Sequence, residues 1–493
     1  MKTNSLDFDA QALREKILDL AMRGKLVPQD PNDEPASVLL EKIKAEKAEL
    51  IKEKKIKKTK PLPPITDDEK PFDIPDSWEW VRLGDVIDFS LGKTPRRGNS
   101  KYWEKGSIPW VSISDIGEEK YLESTKEKIT PIALKDSFKN QIESVGTLLM
   151  SFKLSIGKVA ILKVPAVHNE AIISVYPIMN NKNITRDYLY YLLPIISNSG
   201  YFTPAIKGKT LNKKLISQLK VPLPPLSEQS RIAAKIAQLF ALLRKVETST
   251  QQYAKLQTLL KSKVLDLAMR GKLVKQDPND EPASVLLEKI KAEKQELIKE
   301  KKIKKTKSLP PITDGEKPFD IPDSWEWVRL GEICEIKGGK RVPKGRKLED
   351  QVSYKPYIRV ADMQDQSVNT DTLKYASKDI FNEISRYTIS SKDVYFSIAG
   401  TIGKVGSIPK KLDGALLTEN AAKLEFFAAQ EMNKKFFIEM LSSDFIKEQH
   451  KEMLSKVAQP KLALIKLRKT IIPLPPVSEQ KRVVGKILQI FSQ

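Results

Sequence analysis

The chain of 493 residues has little of the chemistry on which most active sites depend. It contains one cysteine, Cys334, and two histidines, His168 and His450. A single cysteine excludes an internal disulfide and favours a reducing compartment. One cysteine and two histidines also argue against a Cys/His zinc site, so we expect no bound metal.

Long apolar runs and a balance of charge are missing as well. No stretch of about 18 apolar residues occurs, and the N-terminal MKTNSLDFDAQ lacks the apolar core of a signal peptide. We therefore expect a cytoplasmic protein without a membrane partner. The 85 Lys and Arg exceed the 63 Asp and Glu, for a net charge of +22. Such an excess favours nucleic acid as a partner, although lysines that only solvate helix faces are the alternative.

Motifs of nucleotide binding and catalysis are also lacking. GTIGK at 400–404 does not have the spacing or the Ser/Thr of a phosphate-binding loop. The chain has no Asp/Asn-Pro-Pro-Tyr/Phe stretch, which marks the active site of nucleic-acid amino-methyltransferases, and neither histidine lies in a nucleophile motif. We therefore predict a non-catalytic binding protein with no catalytic residues.

What the chain does have is an internal repeat. Residues 18–84 match residues 265–331 at a constant offset of 247, and only four of the 67 positions differ. A looser repeat, VPLPPLSEQ from Val221 and IPLPPVSEQ from Ile472, follows each copy. Between these borders lie two segments, roughly 85–220 and 332–471, that are only faintly related. Copied surfaces suit copies of one partner, and divergent surfaces suit different targets.

The borders of the repeats predict a division of the chain into five regions. The expected regions are an N-terminal helical region at 1–75, a first globular domain at 76–221, a central helical spacer at 222–322, a second globular domain at 323–472 and a C-terminal half-helix at 473–493.

Apolar residues after the first PLPP alternate with spacings of four and three, which is typical of a coiled-coil seam. The C-terminal helix matches the start of this central helix and the N-terminal helix matches its end. We therefore expect the two terminal half-helices to pack end to end and antiparallel on the central helix; unconnected surface helices are the alternative. The predicted seam residues are Ile232, Ile236, Leu239, Leu243, Val246, Tyr253, Leu260, Val264 and Leu267.

The expected fold class is α+β. Short strand-like runs followed by late helices predict two globular mixed α/β domains, joined by long antiparallel coiled-coil helices in a circular pseudo-two-fold repeat. Basic loops occur in both domains, where glycine permits close approach and arginine provides a fork for phosphate or guanine. The candidate DNA-binding residues are Lys93, Arg96, Arg97, Lys101, Lys153, Lys158, Lys207, Lys209, Lys340, Arg341, Lys344, Arg346, Arg359, Lys404, Lys456 and Lys461.

The alternating layout, the PFDIPDSWEWVRLG and PLPPxSEQ borders and the GKTPRR…IPWVSISDI opening resemble the specificity (S) subunit of type I restriction–modification enzymes. The resemblance covers essentially the whole chain. It implies that the two divergent domains are target recognition domains, each reading one half of a split, asymmetric site in double-stranded DNA. The repeated helices are then the spacer that holds the two domains apart.

The resemblance also implies the partners and cofactors. Two copies of the methylation subunit bind the helical regions, and the motor-nuclease restriction subunits join through that core. No cofactor is expected in this chain, since S-adenosylmethionine, ATP and Mg belong to the partner subunits. The alternative hypothesis is a duplicated, non-catalytic scaffold that binds protein or RNA.

Overall fold

A computed structural model of the chain describes residues 8–199, 203–205, 208–454 and 460–491. The chain forms two compact units, one within Asn4–Thr250 and one within Gln251–Gln493. Each unit has its own large hydrophobic core. The central helix runs from one unit into the other.

The first unit contains eight helices and twelve strands among its described residues, with the last helix shared. The helices are α1 Ala10–Met22, α2 Ala36–Lys52, α3 Leu83–Val86, α4 Ser100–Trp103, α5 Pro131–Phe138, α6 Ile184–Ile196, α7 Lys213–Gln218 and α8 Leu226–Met269. The strands are β1 Glu79–Arg82, β2 Ile87–Leu91, β3 Ile108–Val111, β4 Tyr121–Leu122, β5 Glu127–Ile129, β6 Leu148–Ser151, β7 Val159–Leu162, β8 Val167–His168, β9 Ile172–Pro177, β10 Thr203–Ala205, β11 Gly208–Thr210 and β12 Lys220–Leu223.

The second unit has a similar order of elements. The helices are α9 Ala283–Lys299, α10 Leu330–Ile333, α11 Lys378–Ile384, α12 Lys434–Leu441, α13 Asp444–Met453, α14 Leu464–Lys469 and α15 Val477–Phe491. The strands are β13 Glu326–Arg329, β14 Cys334–Gly338, β15 Lys355–Ile358, β16 Met363–Gln364, β17 Ser367–Val368, β18 Lys374–Ala376, β19 Thr388–Ile389, β20 Val394–Ser397, β21 Val405–Gly406, β22 Ala415–Leu417, β23 Ala421–Phe426 and β24 Ile471–Leu474. Among the described residues of this unit, no helix lies between β14 and β15, and two helices follow β23 in place of α6 and the β10–β11 hairpin.

The main sheet of each unit is built around one long antiparallel pair. In the first unit the strand order is β2-β9-β6-β7-β4, beside a smaller sheet β5-β3-β8. In the second unit the main sheet has the order β14-β23-β20-β21, beside β18-β15-β22-β19. The central strands β6 and β20 are buried along their whole length, because helices cover one face and the neighbouring sheet of the same unit covers the other. The predicted mixture of helix and strand in both domains is confirmed.

The two borders of each divergent domain pair with one another. Strand β1, from the first SWEWVR motif, runs antiparallel to β12, from the first VPLP motif, with Trp80 opposite Pro222. Strand β13 pairs in the same way with β24, with Trp327 opposite Pro473. The chain thus enters and leaves each domain on adjacent strands.

In the first unit, helix α1 packs antiparallel to the first half of α8. Arg14, early in α1, forms an ion pair with Glu247, far along α8. Gln29, beyond the end of α1, donates a hydrogen bond of 2.5 Å to Glu228, near the start of α8. Partner numbers fall as chain numbers rise, so the predicted antiparallel packing is confirmed for this pair.

A buried indole–carboxylate contact ties each domain to its helix. Trp78 Nε1 donates to Glu228 Oε2 over 2.8 Å, and in the second unit Trp325 Nε1 donates to Glu479 Oε2 over 2.8 Å. Asp33 pairs with Arg231 next to the first contact. Asp280 pairs with Arg482 next to the second. The near-identical repeats therefore have near-identical contacts to the SEQ motifs.

The predicted coiled-coil seam is buried only towards the two ends of α8. Ile232, Ile236 and Val264 are buried, and Leu239, Leu243 and Leu267 are half-buried. The seam residues between them are exposed, by 44% for Val246, 58% for Tyr253 and 48% for Leu260. The predicted seam is therefore interrupted in the middle of α8, where its residues are exposed. That the two terminal half-helices lie end to end stays a prediction.

Candidate nucleic-acid interface

Three loops of the first unit meet at one edge of its main sheet. The pairing Leu91↔Ile173 brings the end of β2 beside the start of β9, and Ser151↔Ile172 brings the end of β6 there too. Backbone bonds continue beyond the strands, from Gly92 N to Ile172 O at 3.2 Å. We call residues 92–101, 152–158 and 208–212 the first loop edge.

The second unit has the same arrangement. Gly339 N donates to Ala421 O at 2.9 Å, and Ile398 N donates to Asn420 O at 2.7 Å. Leu462 N donates to Ile398 O at 2.8 Å, as Leu211 N donates to Phe152 O at 2.9 Å in the first unit. We call residues 339–348, 398–404 and 460–463 the second loop edge. Most of the predicted DNA-binding residues belong to these two edges, although their sequence positions are far apart.

A glycine opens the first loop of each edge because nothing larger fits. A Cβ on Gly92 would lie 2.1 Å from His168 O, and one on Gly339 would lie 2.1 Å from Thr418 O. These distances are shorter than any van der Waals contact. The backbone is thus held against β8 in the first unit and against β22 in the second, where the basic residues begin.

An aromatic side chain fixes the residue after each glycine. Trp110 Nε1 donates to Lys93 O over 3.0 Å, and Tyr357 Oη donates to Lys340 O over 2.7 Å. Both aromatic residues are buried on the strand that pairs with β8 or β22. The two loops therefore start with the same backbone path, and their differences lie in the side chains that follow.

Arg97 is held between two indole rings. Its Cζ lies 4.0 Å from the centre of the Trp103 ring and 4.7 Å from that of Trp110. Its Nη2 donates to Glu127 Oε2 over 3.0 Å, and the hydrogen bonds with Glu127 raise the pKa of the guanidinium further above its ordinary value. This arrangement could not be predicted from the sequence, because residue spacing does not show that Trp103, Trp110 and Glu127 surround Arg97. Arg97 has the contacts of a residue that orders the loop.

Other cations of the loop edges face solvent. Arg96, Lys101 and Lys344 are exposed, and within the described residues their charged ends have no hydrogen-bonding partner. Such groups are available to phosphate oxygens or to the acceptor edge of guanine. Lys340 is also exposed, with its Nζ 5.8 Å from the centre of the Tyr387 ring.

The three predicted arginines of the second unit are all paired with acids. Arg341 Nε donates to Glu419 over 2.7 Å, with its side chain still 79% exposed. Arg346 contacts Asp379 and Glu383 at 3.5 and 3.2 Å. Arg359 forms two hydrogen bonds with the buried Asp362, at 3.0 and 2.8 Å. An exposed arginine such as Arg341 can readily exchange its carboxylate partner for a phosphate, whereas Arg359 is held by the buried Asp362 of its own turn.

Several predicted lysines donate to backbone carbonyls. Lys404 Nζ donates to Val360 O and Met363 O, both at 3.0 Å, and Lys158 Nζ donates to Ile116 O at 3.3 Å. Similar bonds join Lys93 Nζ to Ser137 O and Lys461 Nζ to Glu419 O. Lys158 and Lys404, each the last residue of an Ile-Gly-Lys run, therefore support the 3₁₀ turns Ile113–Asp115 and Val360–Asp362. The sequence did not predict this role.

For the remaining predicted residues, the structure describes only part of the surroundings. Lys153 lies at the first loop edge, with its Nζ 5.3 Å from the centre of the Phe152 ring. The backbone of Lys209 lies in β11. Lys207 and Lys456 lie outside the described residues. DNA contact by each of the predicted residues stays a prediction.

The histidines are buried and lack a catalytic setting. His168 Nε2 lies 2.8 Å from Ser174 Oγ, with both residues at 2% exposure or less, and burial lowers the pKa of His168. His450 Nε2 lies 2.9 Å from Thr470 Oγ1 in the second core. Among the described residues no group of three or more His, Cys, Asp or Glu is placed to hold a metal ion. None of the described helices is long and apolar enough to cross a membrane.

Comparison with known families agrees with this duplicated architecture. The family described as type I restriction modification DNA specificity domain matches residues 75–257 and again 322–493. The chain belongs to this family. Each matched stretch contains one loop edge. As a member, the chain is a non-catalytic specificity subunit of a type I restriction–modification system, with two target recognition domains.

Relatives of the specificity family match the chain almost from end to end. The specificity subunit of the type I restriction enzyme EcoAI from Escherichia coli is 32% identical, over 98% of this chain and 89% of the relative. That of EcoEI from Escherichia coli is 28% identical over the same shares. A solved chain, from work on complex assembly and conformational transition of a type I system, is 20% identical with a TM-score of 0.55. It covers 86% of this chain and 92% of its own, so the fold is shared.

Proposed function

We propose that this specificity subunit reads a bipartite, asymmetric site in double-stranded DNA, one half-site at each loop edge. The observation that supports this is a pair of loop edges with the same backbone hydrogen bonds and different charged side chains. A shared backbone presents each set of loops in the same way to a target. Different side chains then select different bases.

The duplicated helical contacts support a proposal for the partners. Trp78–Glu228 and Trp325–Glu479 have the same geometry, and the repeats around them are nearly identical in sequence, which favours a similar binding surface in each unit. We propose that two copies of the methylation subunit bind these regions and that motor-nuclease subunits join that core. S-adenosylmethionine, ATP and Mg bind to those partners, and the assembly functions in the cytoplasm.

Affinity in this proposal comes largely from phosphate contacts. The chain has a net charge of +22, and Lys and Arg contacts to phosphate release counterions from the duplex. Binding should therefore weaken steeply as salt is raised, while the preferred sequence stays the same.

Mapping methylated adenines in cells tests the assignment. Deleting the chain should erase one split motif, and replacing residues 85–220 with the matching segment of a relative should change one half of it. Replacing residues 332–471 is the matched control and should change only the other half. Unchanged methylation after the deletion, in a system that otherwise methylates, would refute the DNA-reading role and leave the protein or RNA scaffold.

A further inference from the structure

The turn after β6 in the first unit and the turn after β20 in the second have the same hydrogen bonds. Gly157 N donates to Ser151 O at 2.9 Å, and Gly403 N donates to Ser397 O at 3.0 Å. The serine hydroxyls also match, since Lys158 N donates to Ser151 Oγ at 3.0 Å and Lys404 N to Ser397 Oγ at 2.7 Å. Residues 151–158 and 397–404 are therefore equivalent, position by position.

This equivalence places a leucine opposite a glycine at a left-handed position. Leu154 has φ +63°, and its counterpart Gly400 has φ +72°. Glycine adopts such a conformation freely, whereas leucine pays a steric penalty there. The second unit thus has the residue that the backbone favours, and the first unit has one that it disfavours.

Packing inside the protein does not account for the leucine. The residue is 62% exposed, the largest exposed fraction among the leucines that the structure describes in the first unit. A Cβ at Gly400 would meet no atom within 4 Å, so the position is open to solvent in the second unit as well. An exposed apolar side chain on a strained backbone gains nothing from the folded chain that would offset its cost. Such a combination points to function.

The leucine lies where nucleic acid is expected. The neighbouring Phe152 N donates to Ala171 O at the start of β9, and Lys153 pairs with Thr210 of β11. Both contacts belong to the first loop edge, where Arg96 and Lys101 are free to reach phosphates. An apolar side chain on the same loop edge as these cations suits a base edge, because a duplex displays one apolar group in its major groove, the 5-methyl group of thymine.

We propose that Leu154 is a specificity-determining residue of the first target recognition domain, which contacts the methyl group of a thymine in its half-site. This inference rests on the proposed reading of DNA by the loop edges. It predicts an asymmetry between the domains, since Gly400 offers no such contact at the equivalent place.

The test uses the full chain assembled with its methylation subunits and a duplex that contains the methylated motif. Binding is measured for duplexes in which each thymine of the first half-site is replaced in turn by uracil, which lacks the methyl group. For the unmodified chain, one replacement should weaken binding roughly fivefold or more. In the Leu154→Gly and Leu154→Asn variants that same replacement should have no effect.

The melting temperatures of the variants distinguish a role of Leu154 in base recognition from a role in folding. Because glycine and asparagine tolerate the left-handed conformation, both variants should keep or raise the melting temperature while they lose the thymine preference. Val145→Ala is the matched control, since Val145 is 57% exposed but lies at the opposite end of β6. Gly400→Leu should lower the melting temperature and leave the first half-site unaffected.

Two results would overturn the inference without touching the proposed function. One is equal sensitivity to uracil in the unmodified chain and in Leu154→Gly, with sequence-specific binding intact. The other is a loss of binding in Leu154→Gly that is the same for every duplex and accompanies a lower melting temperature. If the unmodified complex binds no sequence preferentially, the proposed function itself fails.

Discussion

Replacing Arg82 by alanine should destabilise the first unit and leave the second unit intact. The Arg82 side chain is only 7% exposed, and it fastens the segment before β1 to the domain. It donates to the backbone carbonyls of Pro63 and Gln218 at 3.2 Å and of Pro64 at 3.4 Å. It also forms an ion pair with Glu69 at 2.7 Å.

The size of the effect follows from the three carbonyl contacts alone. A typical intramolecular hydrogen bond contributes on the order of 1 kcal/mol net, and the carbonyls lose their partner when the side chain is removed. The Arg82→Ala variant should therefore lose about 3 kcal/mol of unfolding free energy. For a unit of this size that loss lowers the urea midpoint by roughly 1 M.

Hydrogen exchange with peptide resolution, followed through a urea series, measures both units in one sample. In the unmodified chain, peptides from 71–84 and 318–331 have the same sequence and cannot be told apart. Peptides covering 148–162 and 394–406 belong to the divergent domains and report each unit separately. In Arg82→Ala the first peptide should lose protection at lower urea, and the second should be unchanged.

The twin residue supplies the control. Arg329 donates to Pro310 O at 2.8 Å, Lys469 O at 3.0 Å and Pro311 O at 3.3 Å, so Arg329→Ala should give the mirror result. An equal shift of both peptides in either variant, or no shift in either, would refute the reasoning that each unit depends on its own arginine.

Three further predictions concern the interface, the second core and the helix. Arg96→Ala should weaken DNA binding at an unchanged melting temperature. Arg97→Ala should also lower the unfolding free energy by about 1 kcal/mol, because its contacts with two rings are lost. Equal melting temperatures for the two variants would contradict this difference. Burial lowers the pKa of His450 to about 4. The second unit should therefore lose up to about 3 kcal/mol of unfolding free energy as the pH falls from about 6.5 to 4. Over the same pH range, the urea midpoint should fall less in His450→Gln than in the unmodified chain. Seven residues inserted after Thr250 add about 10 Å of helix, and the methylated motif should show a longer gap or vanish, not keep its original gap.

Much of the fold could be predicted because the chain contains its own comparison. The 247-residue offset identifies the repeated frame, and the two divergent segments mark the reading domains. The loop edges were also predictable, since basic loops that follow equivalent strands in both halves lie at equivalent places. The structure adds that these loops share their backbone hydrogen bonds as well as their charge.

Whether Arg97 and Arg341 are paired with an acid could not be predicted, because their partners are distant in sequence. Glu127 lies 30 residues after Arg97, and Glu419 lies 78 residues after Arg341. Sequence spacing indicates that a loop is basic but not which of its charges are already paired. The burial of the seam residues in the middle of α8 was overestimated for a similar reason. A four-three pattern shows which side of a helix is apolar, but it does not show what covers that side.

The pairing of β1 with β12, and of β13 with β24, has a consequence for how new specificities arise. The two junctions of each domain lie on neighbouring strands, roughly 5 Å apart, so an inserted domain of any internal length leaves its anchoring strands in place. Because the sequences at the two junction pairs are nearly interchangeable, either domain fits either position. A gene exchange bounded by the repeats can thus install a foreign reader in one step, or place one reader at both positions so that the same half-site is read twice.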